Sequence, residues 1–219
     1  MPLNSPSALL ASAFSLLGGS QRATAAYELT GELSFGRVRL RHPRPEDYDD
    51  WAQLRRESRA FLVPWEPAWG ARELTRTAYR QRLRTYARGI AGDETYPFFV
   101  FQAARGPLIG GLTLNNVRRG VTQSCALGYW VGAPFARKGY TSDAVRAALI
   151  FAFDSLRLHR VEAACVPRNA ASRGLLEKTG FRHEGLARDY HQINGVWEDH
   201  LLYAVLASDS VPGVASRVA

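Results

Sequence analysis

The stretch "LGYWVGAPFARKGYTSDAVRAALIFAFDSLR" (127–157) decides how the rest of the chain is read. "LGYWV" is apolar and aromatic, as a strand inside a sheet should be, and "TSDAVRAALIFAFDSLR" has a helical pattern that is broadly apolar, as a helix packed on a sheet should be. Between them lies "GAPFARKGYT", in which Arg137 and Lys138 stand directly before Gly139. The first amides of a helix have no intrahelical partner and carry the positive end of its dipole. With a glycine that lets the backbone approach a ligand and two cations beside it, the N–H groups of 137–142 form a cradle for a phosphate or pyrophosphate. On spacing alone, a solvated basic turn before a helix fits as well.

Working outward, "YPFFVFQ" (96–102), "LIGGLTLNNVRR" (108–119) and "CALGYWV" (125–131) are short strands joined at "ARGP" (104–107) and Gly120, which predicts an antiparallel meander. Downstream, "RVEAACV" (160–166) reads as a buried strand and "NAASRGLLEKTG" (169–180) as a helix ended by Gly180. Two further strands flank Asn194-Gly195, a type I′ hairpin pair. Upstream, "FGRVRLRHP" (35–43) reads as one strand stopped by Pro43, and "PEDYDDWAQLRRESRAFL" (45–62) as a helix with early acids, apolar at Trp51, Leu54 and Phe61. "VPWEPAW" (63–69) interrupts it with two prolines. A helix over about 71–90 follows, carrying Arg72, Arg76, Arg80, Arg84 and Arg88 at i+4 spacing on one drifting stripe. The order predicts an α+β fold: a mixed, mostly antiparallel central sheet flanked by about four helices.

With 219 residues, 46% of them hydrophobic, the chain can bury one sizeable core. The domain is read as 34–207, with an N-terminal extension (1–33), partly helical or disordered, and a flexible tail (208–219). "ALLASAFSLL" (8–17) resembles a short signal region, but no Lys or Arg precedes it and it is too short to span a membrane. A net charge of +8 and a pI near 9.9 call for an anionic partner, whether nucleotide, RNA or acidic protein surface. Cys125 and Cys165 are too few for a disulfide framework and not spaced like zinc ligands, so a reducing cytosol and no metal site are expected.

Several runs together resemble the GNAT acetyltransferases, and within them the RimJ/RimL type that acetylates ribosomal-protein N-termini. They are "FLVPWEP" (61–67), "NNVRRG" (115–120), "LGYWVG" (127–132), "ARKGYTSDA" (136–144), "HRVEAACVPRNAASRGLLEKTGF" (159–181) and "WEDHLL" (197–202). The similarity spans about residues 35–206, and "PWEP" with the "NNVRRG" and "CALGY" runs looks most like RimJ. The resemblance implies that the cradle holds the pyrophosphate of acetyl coenzyme A (acetyl-CoA), with Arg137, Lys138, Gly139, Tyr140 and Thr141 as cofactor contacts. It also implies that the strand at 128–131 splays from the strand at 161–166, so that pantetheine lies against Tyr129, Trp130 and Val131 as a mimic of a strand, with Asn169 hydrogen-bonding the cofactor. Against the family pattern Q/R-x-x-G-x-G/A, Ala136 offers no side-chain contact, so Arg137 or Lys138 must supply it, and Thr141 crowds a place usually held by Gly or Ala.

Acetyl transfer to an amine needs a neutral nucleophile, a held carbonyl, a stabilised oxyanion and a proton for the departing thiolate. Neither cysteine has an evident His and acid pair, which disfavours a covalent enzyme intermediate and favours direct attack in a ternary complex. An α-amino group titrates near ~8 and lysine near ~10.4, so freeing an N-terminal amine at neutral pH costs roughly 3 kcal/mol less. Glu66 is the first candidate for the base or amine anchor and Glu184 the second; both are equally readable as surface acids. Family precedent suggests Ser172 as the acid that reprotonates sulfur, with Tyr190 as the alternative, while Asn169 also reads as a helix N-cap. Trp65, Trp69 and Trp197 could line an acceptor tunnel or belong to the core, and the five histidines read as structural or solvated. The acceptor implied is a protein N-terminus, such as that of ribosomal protein S5 or another Ala- or Ser-starting chain, reached in the cytoplasm. The arginine stripe offers a ribosome or rRNA contact, or simply a solvated face. A small-amine or antibiotic acetylase of the same fold, and an RNA-binding assembly factor with little catalysis, remain alternatives.

Overall fold

The sequence "YPFFVFQ" forms strand β3 (Tyr96–Gln102), whose side chains alternate between two apolar cores. Phe98 and Val100 enter the larger core, while Phe99 and Phe101 enter a second that also holds Trp51, Leu54 and Tyr79. A strand buried on both faces is apolar throughout because helices cover the sheet on either side. The structure, a computed structural model, describes residues 32–103 and 106–214.

Strands β1 (Glu32–Phe35) and β2 (Val38–Arg41) form a hairpin. A 3₁₀ turn at Pro45–Asp47 leads into α1 (Tyr48–Glu57), followed by α2 (Arg59–Leu62) and α3 (Arg76–Ala91). Then come β3, β4 (Leu108–Arg118), β5 (Ser124–Val131), α4 (Tyr140–Ile150), β6 (Arg160–Cys165), α5 (Ala170–Lys178), β7 (Arg182–Ile193) and β8 (Val196–Leu206). The sheet has eight strands in the order β1-β2-β3-β4-β5-β6-β8-β7. The one parallel contact among the described residues, between β5 and β6, positions the site.

That contact is short. β5 and β6 share only Ser124↔Arg160, Cys125↔Val161 and Ala126↔Glu162, after which they part. From Leu127 to Val131, β5 keeps β4 on one side and no strand of the described residues on the other, while β6 stays paired with β8 as far as Cys165↔Leu201. The sheet therefore opens into a V, as the resemblance implies. Ala144, Ala147 and Ala148 on α4 are fully buried, and their small side chains bring that helix close to the sheet below the opening. Where the second core begins, Arg41 donates to both carboxylate oxygens of Asp47 at 2.8 and 2.6 Å, and Asp47 also accepts from the Arg44 N–H at 2.7 Å.

Some expectations need correction. The stretch 35–43 is not one strand, because Gly36 adopts φ 53° and reverses the chain between β1 and β2. Glu32 and Leu33, assigned to the extension, pair in β1, and Leu33 is buried. Arg72 is not on a helix: Thr75 caps α3 by accepting from the Ala78 N–H at 3.2 Å, so the helical stripe begins at Arg76. Phe61 turns outward, 42% exposed, beside the cleft described below. The segment through Val214, expected to be flexible, is packed, since Val211 is buried in the larger core and Arg146 donates to the Pro212 carbonyl at 2.5 Å. Asn194 and Gly195 have φ of 46° and 88°, the conformation a type I′ turn requires. The signal-like run at 8–17 and the rest of the expected extension up to residue 31, the turn residues 104 and 105, and residues 215–219 lie outside the described residues. No helix among the described residues is long and apolar enough to cross a membrane.

Candidate active site

Gly139 is the N-cap of α4 with φ 83° and ψ −4°, a left-handed conformation that side chains resist. Arg137 is left-handed as well, φ 59°, and left-handed residues in a turn are what lets successive amides gather into an anion-binding concavity. A Cβ on Gly139 would lie 2.5 Å from Nη2 of Arg37, which reaches over from the β1–β2 turn. The Arg37 backbone N–H and Nε–H donate to Asp143 Oδ2 at 3.3 and 3.4 Å, and its guanidinium stands 5.0 Å from the centre of the Tyr140 ring. Three cations, Arg37, Arg137 and Lys138, thus surround the turn. The sequence reading missed Arg37 because it is 106 residues from Asp143 and no local motif marks it. Gly139→Val is expected to raise the KM for the phosphate-bearing ligand about tenfold, since a left-handed branched residue costs of order 1–2 kcal/mol before any contact is lost. Calorimetric titration of the variant checks it; unchanged affinity would mean that the turn does not hold the ligand.

The V opens into a cleft of about 1540 Å³ lined from both walls. Of the residues expected there, Tyr129, Trp130, Val131, Arg137, Gly139, Thr141, Asn169 and Ser172 line it, while Lys138 lies exposed on the turn and Tyr140 packs beneath Arg37. Asn169 caps α5 through its Oδ1, which accepts from the Ser172 N–H at 3.1 Å. This holds the first turn of α5 so that the Ser172 hydroxyl lies 2.7 Å from the Tyr129 hydroxyl, across the gap between β5 and α5. Burial pushes the Tyr129 phenol well above its ordinary range, only partly offset by the bond to Ser172, so the pair stays protonated. The Cys165 thiol, at the end of β6, is also raised by burial. Sequence had named Tyr129 only as a strand contact; its hydroxyl's partnership with Ser172 bridges residues 43 apart.

The far end of the cleft is walled by Phe61, Trp65, Glu66 and Pro67 on one side and by Tyr190, His191 and His200 on the other. Glu66 is not a free carboxylate. Arg55 donates to its two oxygens at 2.7 Å each, and Trp69 Nε1 donates to Oε2 at 2.8 Å. Its own carbonyl accepts from the Asn194 N–H at 2.9 Å, linking the "PWEP" loop to the tip of the β7–β8 hairpin. Glu184 is held by Arg160, which keeps its carboxyl below the usual range. Tyr190 is exposed and lies in a ring cluster with His191 (4.2 Å) and His200 (5.8 Å), in the same cleft as the Ser172–Tyr129 pair. Trp65 stacks under Arg168, Trp69 under Arg55, and Trp197 is 60% exposed on β8. His42 is structural, bonded to the Pro97 carbonyl and stacked on Phe98. Among the described residues no group of three or more His, Cys, Asp and Glu side chains could hold a metal ion.

Residues 37–182 match the family described as Acetyltransferase (GNAT) domain. The chain is a GNAT acetyltransferase. It is of the RimJ/RimL type. It is 34% identical over 178 residues to the [ribosomal protein uS5]-alanine N-acetyltransferase of Escherichia coli (strain K12), covering 80% of this chain and 90% of that one. It is 37% identical over 163 residues to the probable N-acetyltransferase YjcK of Bacillus subtilis (strain 168), covering 74% and 90%. Among solved structures, Mycobacterium smegmatis RimJ in complex with CoA-disulfide superposes with a TM-score of 0.75 at 33% identity, covering 81% of this chain and 87% of the other.

The acetyltransferase uses acetyl-CoA as cosubstrate, and its residues fit that molecule. The turn at 137–142 offers amides and nearby cations that could take a pyrophosphate, and the edge of Leu127–Val131, which pairs with no strand among the described residues, offers main-chain groups that could take an amide-bearing arm. Acetyl-CoA supplies the acyl group activated as a thioester.

Proposed function

We propose that the acetyltransferase modifies the N-terminal α-amine of a ribosomal protein with an Ala or Ser start, such as S5, by direct attack in a ternary complex. The observation that carries this reading is the Tyr129–Ser172 hydroxyl pair at the fork of the parted strands, where a thioester arm entering along β5 would end. Ser172 gives its proton to the departing sulfur and is resupplied by the Tyr129 phenol. Asn169, its oxygen spent on the helix cap, keeps its amide N–H groups for the cofactor. Arg137, Lys138, Gly139, Tyr140 and Thr141 hold the pyrophosphate, while Tyr129, Trp130 and Val131 line the arm. Glu66, bound by Arg55 and Trp69, shapes the acceptor end rather than taking a proton, and Tyr190 belongs to the wall that receives the peptide.

The choice of a chain terminus has support in relatives named for ribosomal-protein alanine acetylation and in the lower cost of freeing an α-amine. Thiol release from acetyl-CoA with a short Ala-starting peptide tests it, with an N-blocked, lysine-containing peptide as control. Equal release with both peptides would sink the terminal specificity, and none with either would sink the reading.

A second reading concerns location. Arg80, Arg84 and Arg88 are exposed on α3 without a carboxylate partner among the described residues, whereas Arg76 is tied to Asp49 at 2.8 Å and lies on Tyr48. We propose that this free stripe, with Arg72 in the preceding turn, brings the enzyme to ribosomal RNA. Replacing Arg80, Arg84 and Arg88 by Gln is expected to lower ribosome co-sedimentation and flatten its salt dependence, leaving kcat/KM for the free peptide unchanged. Unaltered co-sedimentation would end this idea.

A further inference from the structure

We infer that His191, backed by His200, is the general base that takes the proton from the attacking amine. The inference rests on the N-terminal acetylation reading above and names the group that reading leaves open.

The carboxylates lining the cleft are engaged. Glu66 binds Arg55 and Trp69, Glu162 accepts from Arg118 at 3.1 Å and Arg160 at 2.9 Å, and Glu184 accepts from Arg160. Two imidazoles on the β7–β8 wall are differently placed. His200 is 3% exposed, and its Nδ1–H donates to the Glu198 carbonyl at 2.9 Å, which fixes the tautomer and leaves Nε2 as an acceptor. His191 stands edge-on to it, ring centres 4.9 Å apart, and unlike His200 it is exposed on the cleft side, where an incoming amine can reach it. The groups facing His191 are Tyr190 from its own strand, His200 and the Arg168-bound Glu198 from β8, and the Arg55-bound Glu66 across the cleft. Desolvation, then the neighbouring His200, lower the His191 pKa, so the ring is neutral and able to accept a proton at neutral pH.

The balance is straightforward. The amine nitrogen attacks the thioester carbon, forming C–N and converting the carbonyl to an oxyanion. The N–H becomes strongly acidic as that bond forms, and its proton passes to His191. Collapse breaks C–S, the sulfur takes a proton from the Ser172–Tyr129 pair, and the proton that His191 releases to solvent is matched by one that the pair takes back from solvent, so both groups return to their starting state. A weak imidazole base suffices because the proton moves only after attack has begun.

The test compares wild type, His191→Gln and His191→Glu in the acetyl-CoA and Ala-peptide assay. His191→Gln is expected to lose about 100-fold in kcat at neutral pH with the KM for acetyl-CoA unchanged. Added imidazole should restore part of the loss, and His191→Glu should retain most of the activity by supplying another base. In His200→Gln the acidic limb of the pH profile should move up toward ordinary histidine, near ~6.5. A His191→Gln kcat within about twofold of wild type overturns the inference. So does a loss that neither imidazole nor glutamate relieves, since that pattern reports packing. Wild type that releases no thiol with any peptide would instead remove the acetylation reading beneath it, so the two failures are distinct.

Discussion

Ser172→Ala is expected to lower kcat about 100-fold while changing acetyl-CoA affinity by less than about twofold. Its hydroxyl is the polar side-chain group that the α5 cap brings to the fork, where the sulfur of a strand-like arm would leave, and it touches the Tyr129 hydroxyl rather than the pyrophosphate turn. Loss of a proton donor is felt in the transition state, so it should appear in kcat and not in ground-state binding. Tyr129→Phe should reproduce part of the effect, because in the proposed relay the phenol, kept protonated by burial, would reload Ser172. The double variant should be no worse than Ser172→Ala, as expected for two groups that act as one relay. Steady-state kinetics with coenzyme A titrations decides it. A Ser172→Ala enzyme with wild-type turnover would exclude this hydroxyl from the chemistry.

Glu66→Ala is expected to cost about 3–5 kcal/mol of stability, the penalty for leaving a buried guanidinium unpaired. The Arg55 side chain is 9% exposed, its Nε has no partner among the described residues, and its charge is otherwise met only by the faces of Trp69 and Trp130 at 4.2 and 5.0 Å. Replacing both members, Arg55→Leu with Glu66→Leu, should recover much of the loss because no charge remains to desolvate. Urea unfolding measures both. Kinetics then separates two roles for Glu66. As a pin for the "PWEP" loop, Glu66→Gln should mainly raise the peptide KM. As the base it should lose kcat with stability intact, and that result would overturn the pin.

Much of this was legible in the chain itself. The meander from Tyr96 to Val131, the strand-turn-helix at 127–157 and the Asn194-Gly195 hairpin followed from periodicity and turn chemistry, both local properties. The family's residue pattern led to the parting of β5 from β6, which no propensity encodes. What escaped reading was long-range. Glu66 looked like an accessible acid because Arg55, one helix back, gave no sign of pointing at it. Arg37 and Ser172 acquire their partners only once the hairpin and α5 are folded against the sheet. The histidines at 191 and 200 looked scattered because a bulge between Ala187 and His191 sets which of them face each other. The packing of 211–214 was hidden for a similar reason: small polar composition says nothing of Val211 finding a place in the core.

The bond between the Asn194 N–H and the Glu66 carbonyl closes main chain around one rim of the cavity, making a hoop from two segments remote in sequence. A hoop can be threaded by a loose polypeptide end, whereas a residue in the middle of a folded surface would bring its flanking chain up against the frame. Under the proposed function, a preference for termini over lysines would then be topological as well as protonic.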